Sequence, residues 1–594
     1  MLNRICCHGL VLLLLSGMFV QASFAGEPMA ADESAKLHAI FEAAWKQYLA
    51  DEPTEASQLG VHEYDAFWPD VSLGAIEKRH NRDLAFLGQL DQIERAKLYR
   101  TDRISYELFR QGLEISIAGY RFGGYLLPIN QRGGLQDAGN LADALRFEKE
   151  SDYEAWLERM ANFPTYADQT IALMREGMRR GIVHAEVVMK RVPRQVEAQI
   201  VDDPAESMFY QPFERFPKSF ATETQERLRQ NASRLILKRI NPAYERLLAF
   251  LQQEYLPACH DEVGFWQMPD GKEFYAFEAR RFTTTDLTPG EIHEIGLREV
   301  ARIRGEMEQI VEEVEWQGTF REFLDHLRTD PKFYYDDPQE LLEGYRSLCK
   351  RIDPQLVKLF GRLPRMPYGV EPIPEAMAPD TTTAYYRQPA ADGSRAGTYF
   401  VNLYKPETRP KYEMEVLSAH EAVPGHHLQI ALAMEMEGLP EFRRYSGYTS
   451  YVEGWALYSE GLGEELGLYE DPYSKFGQLT YEMWRAVRLV VDTGIHEKRW
   501  PRQQAIDFFA ANTPKPILDI ENEVDRYIAW PGQALAYKIG ELKIKELRAR
   551  AEAELGDRFD IRAFHDTILA EGAVTLDILE SQIDNWIAEQ KQDG

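Results

Sequence analysis

Residues 411–430 read KYEMEVLSAHEAVPGHHLQI, which sets His420, Glu421, His426 and His427 within eight residues of one another among helix formers. Three of the chain's 13 histidines fall in this stretch. Neutral imidazoles suit zinc, a carboxylate completes a set of three protein ligands, and a fourth position stays open to water. A carboxylate that does not ligate can take that water's proton. Glu421, next to the first histidine, is placed for that role as the candidate general base.

The spacing departs from HExxH, because the fourth residue after His420 is Pro424, which cannot ligate. Within a continuous helix the proline ring would clash with the carbonyl of His420, and Gly425 adds backbone freedom. A kink or bulge is predicted here. On an unbroken helix His427 would lie about 20° from His420 and His426 about 120° away. The Pro-Gly break spoils that arithmetic, so both remain candidates for the second ligand.

The elements that must position these residues are mostly helices. Residues 37–49, 75–90, 152–180 and 221–251 carry apolar positions at the 3.6 period. Thr288-Pro289-Gly290-Glu291 supplies a capping threonine, a proline at the first helical position and a glutamate three residues after the cap, ahead of the periodic run 292–314. Residues 125–137, 201–218 and 366–397 read as loops. Residues 398–404, Thr-Tyr-Phe-Val-Asn-Leu-Tyr, are the clearest strand signal and stand just before the histidines. Helices return from 412 onward. In the helix expected over 481–496, Tyr481, Arg485, Arg488, Asp492 and His496 share an arc of about 80° on an otherwise apolar surface. That stripe reads as an internal ion-pair ladder, or as a channel wall. In the second case His496 donates to the oxyanion or substrate and Arg485 or Arg488 grips a peptide's terminal carboxylate in a two-pronged bond, which would make the chain a carboxypeptidase.

The 594 residues are 44% hydrophobic, enough for a large core and more than one lobe. The formal charge of -28, from 96 acidic and 68 basic residues, repels phosphate backbones and anionic lipids, so neither nucleic acid nor a membrane surface is an expected partner. Residues 1–25 read as a secretory signal peptide. Arg4 starts it, residues 10–20 form an apolar run shorter than the ~20 a span needs, and Ser23-Phe24-Ala25 offers a cleavage site. The mature chain is thus expected outside the cytoplasm, periplasmic or secreted, with no membrane span. Cys6 and Cys7 lie in the leader, and no cysteine follows the apolar run where lipid attachment would need one. Cys259 and Cys349 remain, for which one disulfide is permitted but not demanded.

HEAVPGHHLQ together with VEGWALYSE at 452–460 resembles the bacterial domain of unknown function family 885. RRFTTTDLTPGEIHEIGLREVARI before these motifs and WPGQALAYKIGELKI after them also fit, so the likeness covers roughly residues 250–590. That family is similar to helical zinc peptidases of the neurolysin, carboxypeptidase Taq and angiotensin-converting enzyme type, which hold zinc in a deep channel between two helical lobes. The resemblance implies a mainly α, two-lobed, zincin-like fold with a small β element beside the metal helix. The expected division is a helical lobe over 26–280 and a catalytic helical lobe over 281–594. It also implies a Zn2+ cofactor and a short peptide substrate. The Gly-His pair then favours His426 over His427. The third ligand is expected on the next helix, where Glu453 stands 27 residues after His426 and Glu460 could instead orient a ligand. Such peptidases bind extended substrate along an edge strand, a role that falls to residues 398–404 with Tyr399 and Asn402. An oxyanion donor is expected near Trp530, where Tyr537 is favoured over Tyr527.

Two other readings use the same residues. Lewis-acid activation of water serves any acyl group, so a zinc amidase or esterase carries the same motif. A peptide-binding protein that keeps the fold without the chemistry would carry a damaged motif, and the altered histidine spacing is the feature that favours it.

Overall fold

A computed structural model describes residues 27–592 except 376–377, 379–381, 391–392, 394 and 446. The leader expected over 1–25 lies outside them. The described chain is mainly helical, with one small sheet. The helices that build or brace the site, labelled in chain order, begin with α1 (Glu27–Asp51), α2 (Leu73–Leu90), α3 (Arg100–Tyr120), α4 (Glu150–Arg180) and α5 (Pro289–Glu313). After the sheet come α6 (Met414–Glu421), α7 (His426–Met434), α8 (Thr449–Gly461), α9 (Pro472–His496), α10 (Ile517–Ala529) and α11 (Ala536–Leu555). Among the described residues no helix is long and apolar enough to cross a membrane.

Local chemistry accounts for where the helices begin. At the start of α5 the Glu291 amide donates to Thr288 Oγ1 over 3.3 Å and the Thr288 amide donates back to Glu291 Oε2 over 2.8 Å, closing the capping box. α9 is buried along most of its length and packs most extensively against α5. Gly296 of α5 lets the two backbones approach there, since a Cβ would stand 2.7 Å from Leu489 Cβ.

Two large apolar clusters fill the interior. One joins residues of α4, such as Trp156 and Phe163, to residues of α5, α9 and α10, such as Ile303, Val487 and Val524. It therefore draws on both sides of the division expected at 280/281. The other gathers α6, α8 and α11 with the sheet, through Tyr399, Val416, Trp455 and Ile544.

The sheet has three strands, β1 (Tyr368–Pro372), β2 (Ala384–Arg387) and β3 (Gly397–Val401), in the order β1-β3-β2. β3 runs parallel to β1, with Val370 beside Tyr399, and antiparallel to β2, with Tyr386 beside Tyr399. This corrects two sequence expectations. Residues 366–397 are not all loop, because β1 and β2 lie within them. The strand read at 398–404 is central rather than an edge, and ends at Val401. The free edge beside α6 is β2.

Candidate metal and active site

The break predicted at Pro424 is present. α6 ends at Glu421, the chain turns through Ala422 to Gly425 with a cis peptide before Pro424, and α7 begins at His426. Gly425 is required there, since a Cβ would stand 1.9 Å from the carbonyl oxygen of His420. Trp455 Nε1 donates to the Pro424 carbonyl over 2.9 Å, tying the turn to α8. α8 in turn crosses α11 with almost no separation, where a Cβ on Gly540 would fall 1.8 Å from the Ser450 carbonyl oxygen. That crossing fixes Glu453, the neighbour of Gly454.

The turn resets the helix phase and brings His426, not His427, to His420. The imidazoles of His420 and His426 and the carboxylate of Glu453 offer ligand atoms that all lie within 4.8 Å of one another. Glu453 Oε2 is 3.6 Å from His420 Nε2 and 3.5 Å from His426 Nε2. His427 points the other way. Its Nε2 donates to the Met366 carbonyl over 3.0 Å and its Nδ1 accepts from Tyr386 Oη over 2.9 Å. Burial keeps that ring neutral, with its pKa pushed down to about 4.

Glu460 lies behind the trio. Its side chain is fully buried, and it accepts from His420 Nδ1 over 2.8 Å, which leaves Nε2 facing His426 and Glu453. Arg485 Nη2 stands 3.4 Å from the same carboxylate oxygen. Burial opposes protonation of His420, but the carboxylates of Glu453 and Glu460 outweigh it and raise its pKa to about 9. Burial likewise opposes ionisation of Glu453, and the two histidines outweigh it, holding that carboxyl well below its usual range. Among the described residues, Glu453 Oε2 and His426 Nδ1 are nevertheless buried without hydrogen-bond partners. Two histidines and a glutamate converging on a point where a buried carboxylate oxygen lacks a donor fit a zinc-type divalent cation.

The trio lines a cavity of about 370 Å³, together with Glu421, Tyr386, Arg485, Arg488 and Tyr537. Residues 382–386, the β2 edge and its approach, form one wall. A larger cavity of about 1110 Å³ opens among α1, α2 and α3 and beyond Arg387. Among the described residues, no group of metal-ligating side chains lies in it.

Several residues singled out from the sequence sit elsewhere. Tyr399 is fully buried in the sheet, its ring 5.7 Å from that of Tyr345. Asn402 bridges carbonyls of the preceding loop, donating to Ala378 O over 2.7 Å and Thr382 O over 3.1 Å. Neither lines the cavity, because β3 is sandwiched between its neighbours. His496 is also absent from the wall. It donates from Nε2 to the Tyr527 carbonyl over 3.0 Å and accepts at Nδ1 from the Phe265 amide over 3.1 Å. Burial holds it neutral, with a pKa of about 4. The ion-pair ladder does not form either, since Asp492 accepts from Tyr275 Oη over 2.6 Å and from the Gly532 amide over 3.1 Å. Tyr527 is enclosed behind the wall, its hydroxyl donating to Glu523 over 2.8 Å. Cys259 and Cys349 are both free.

The wall residues that were not anticipated include Tyr386, Glu523 and Arg526. Glu523 and Arg526 are three residues apart on α10, a spacing that from sequence alone reads as a routine surface ion pair.

The chain matches a family described as bacterial protein of unknown function (DUF885) over residues 53–583. It belongs to this family. The match takes in the helices from α2 onward as well as the region where the motifs lie. This DUF885 chain is also similar to the crystal structure of a predicted lipoprotein from Colwellia psychrerythraea. The two are 29% identical with a TM-score of 0.88, over 94% of this chain and 99% of that one. A predicted lipoprotein of unknown function from Shewanella oneidensis shares the fold at 18% identity and a TM-score of 0.72, over 91% of this chain and 98% of that one. No curated protein matches the chain.

Proposed function

We propose that this DUF885 chain is a zinc-dependent hydrolase that cleaves peptide bonds in short, extended peptides. The observation that carries the reading is the convergence of His420, His426 and Glu453 in one cavity with Glu421, Tyr537 and the free edge of β2. Zinc held by the trio would supply Lewis-acid polarisation of the scissile carbonyl and a water of lowered pKa.

Each remaining role falls to a side chain or backbone edge. Glu421 accepts the proton of the attacking water and passes it to the leaving amine. Tyr537 directs its hydroxyl at the oxyanion. Glu460 fixes the tautomer and orientation of His420, so Nε2 is the nitrogen that would hold the cation. The β2 edge pairs with the backbone of an extended substrate, which gives affinity without reading sequence. The zincin-like description of the fold belongs to the same proposal.

Export is part of it as well. The leader-like residues 1–25 and the similarity to the predicted lipoprotein from Colwellia psychrerythraea support a place outside the cytoplasm.

The test is metal analysis of the purified protein followed by a panel of short peptides, simple amides and esters. About one zinc per chain with peptide turnover supports the proposal. Turnover confined to esters or non-peptide amides replaces the substrate class. Metal without turnover of any of them favours a binding protein.

A further inference from the structure

On one wall of the metal cavity the charges do not balance. Arg488 of α9 donates from Nη2 to Glu523 Oε2 over 3.1 Å, and Arg526 Nη1 stands 3.3 Å from Glu523 Oε1. Two guanidiniums thus share one carboxylate, on which Arg132 also acts, so positive charge is in surplus. Arg488, Arg526 and Glu523 are each less than one-tenth exposed, so water does little to screen that surplus. Burial works against ionisation of Glu523, but Arg526 and Arg488 outweigh it and hold its pKa at about 2, so the count applies at neutral pH.

The donors are incompletely used as well. Among the described residues, Arg488 Nη1 and Arg526 Nε are buried N–H groups with no acceptor. Leaving such donors unpaired is costly unless something fills the place. Tyr537 holds the pair in position, with the Arg488 guanidinium 4.4 Å from its ring centroid and Arg526 Nη2 donating to its hydroxyl over 3.4 Å. Arg485, three residues before Arg488 on α9, differs. The fully buried Glu460 carboxylate is its own counter-charge, so its part is to hold Glu460 against His420.

We infer that Arg488 and Arg526, braced by Glu523 and Tyr537, bind a carboxylate of the substrate in the cavity that holds the metal trio. The choice of a carboxylate rests on the peptidase proposal, since a peptide brings that group at its C-terminus or on an Asp or Glu side chain. The planar fork of arginine matches it with two parallel hydrogen bonds.

The test is calorimetric binding of 3-phenylpropanoate and of its primary amide to zinc-loaded wild type, Arg488→Gln, Arg526→Gln and Arg526→Lys. Metal content and thermal midpoint are checked in each. The acid is expected to bind wild type at least ~10-fold better than the amide, and to lose ~10-fold or more in each glutamine variant. Arg526→Lys keeps the charge and loses less. Equal binding of acid and amide by wild type overturns the inference. So does full affinity for the acid in both glutamine variants, or in Arg526→Lys together with Arg488→Gln if Arg526→Gln does not fold. These readouts need no turnover, so they stand apart from failure of the peptidase proposal. Where peptides are cleaved, three peptides locate the carboxylate: a free acid, its amidated twin, and an amidated peptide carrying Glu. A KM that rises only on amidation assigns the terminus, and a KM restored by the Glu residue assigns the side chain.

Discussion

Replacing Glu460 with glutamine separates a metal centre from a merely buried polar cluster. Glu460 is fully enclosed, 2.8 Å from His420 Nδ1, and takes no part in the ligand trio. Glutamine keeps an acceptor at that distance but removes the charge. His420 then becomes a weaker base, and Arg485 loses the carboxylate 3.4 Å away that balances it. Changes to such outer partners lower metal affinity by roughly 10- to 100-fold, or about 1.4–2.7 kcal/mol. Glu460→Ala leaves His420 Nδ1 without an acceptor and Arg485 without its counter-charge, and is expected to do more damage. The assay is zinc competition against a chelating indicator at fixed pH, with Glu421→Gln as the comparison that leaves affinity almost unchanged. An unaltered zinc affinity in folded Glu460→Gln would refute the assigned role of Glu460, and equal losses in both variants would point to general destabilisation.

Three further expectations follow from particular contacts. His426→Ala should abolish stoichiometric zinc binding while His427→Ala retains it and lowers stability by about 1–3 kcal/mol through the lost partners of Tyr386 and Met366; reversed metal contents would make His427 the ligand. Gly540→Ala should lower stability by about 3 kcal/mol or more in denaturant titrations, because its Cβ would meet the Ser450 carbonyl oxygen at 1.8 Å; an unchanged midpoint would contradict the tight α8–α11 crossing. Burial raises the pKa of Asp492 to about 7 from an ordinary value of 3.8, so the stability it contributes is full below about pH 4 and lost as pH rises to about 7. Between pH 5 and pH 8, the stability of Asp492→Asn should therefore gain on wild type by up to about 3 kcal/mol, and a constant difference would rule this out.

The convergence on His420 was legible in part because residue types able to ligate a metal are seldom concentrated so closely in a sequence. The cap at Thr288 was legible because it depends on four consecutive residues. The choice between His426 and His427 was not, since helix geometry cannot be carried across a turn whose dihedrals depend on Gly425 packing against His420. The sheet was misread in one respect. β1 and β2 are five and four residues long and lie in a proline-rich stretch, so the clear signal of β3 stood alone and passed for an edge. The polar stripe on α9 was in phase, but phase does not say how far a cavity extends. Eight residues separate Arg488 from His496, ~12 Å along the axis, and over that length the stripe leaves the cavity and passes beneath α10. The Arg488–Glu523–Arg526 group was invisible because it joins two helices whose contact no local pattern records.

The most direct test is the rate of peptide-bond cleavage by Glu421→Gln against wild type at matched zinc content, on short peptides that wild type cleaves. Glu421 lines the cavity and is not one of the three ligand residues, so the variant should keep about one zinc per chain while its rate falls ~100-fold or more. Full activity in a zinc-loaded Glu421→Gln protein would contradict the account.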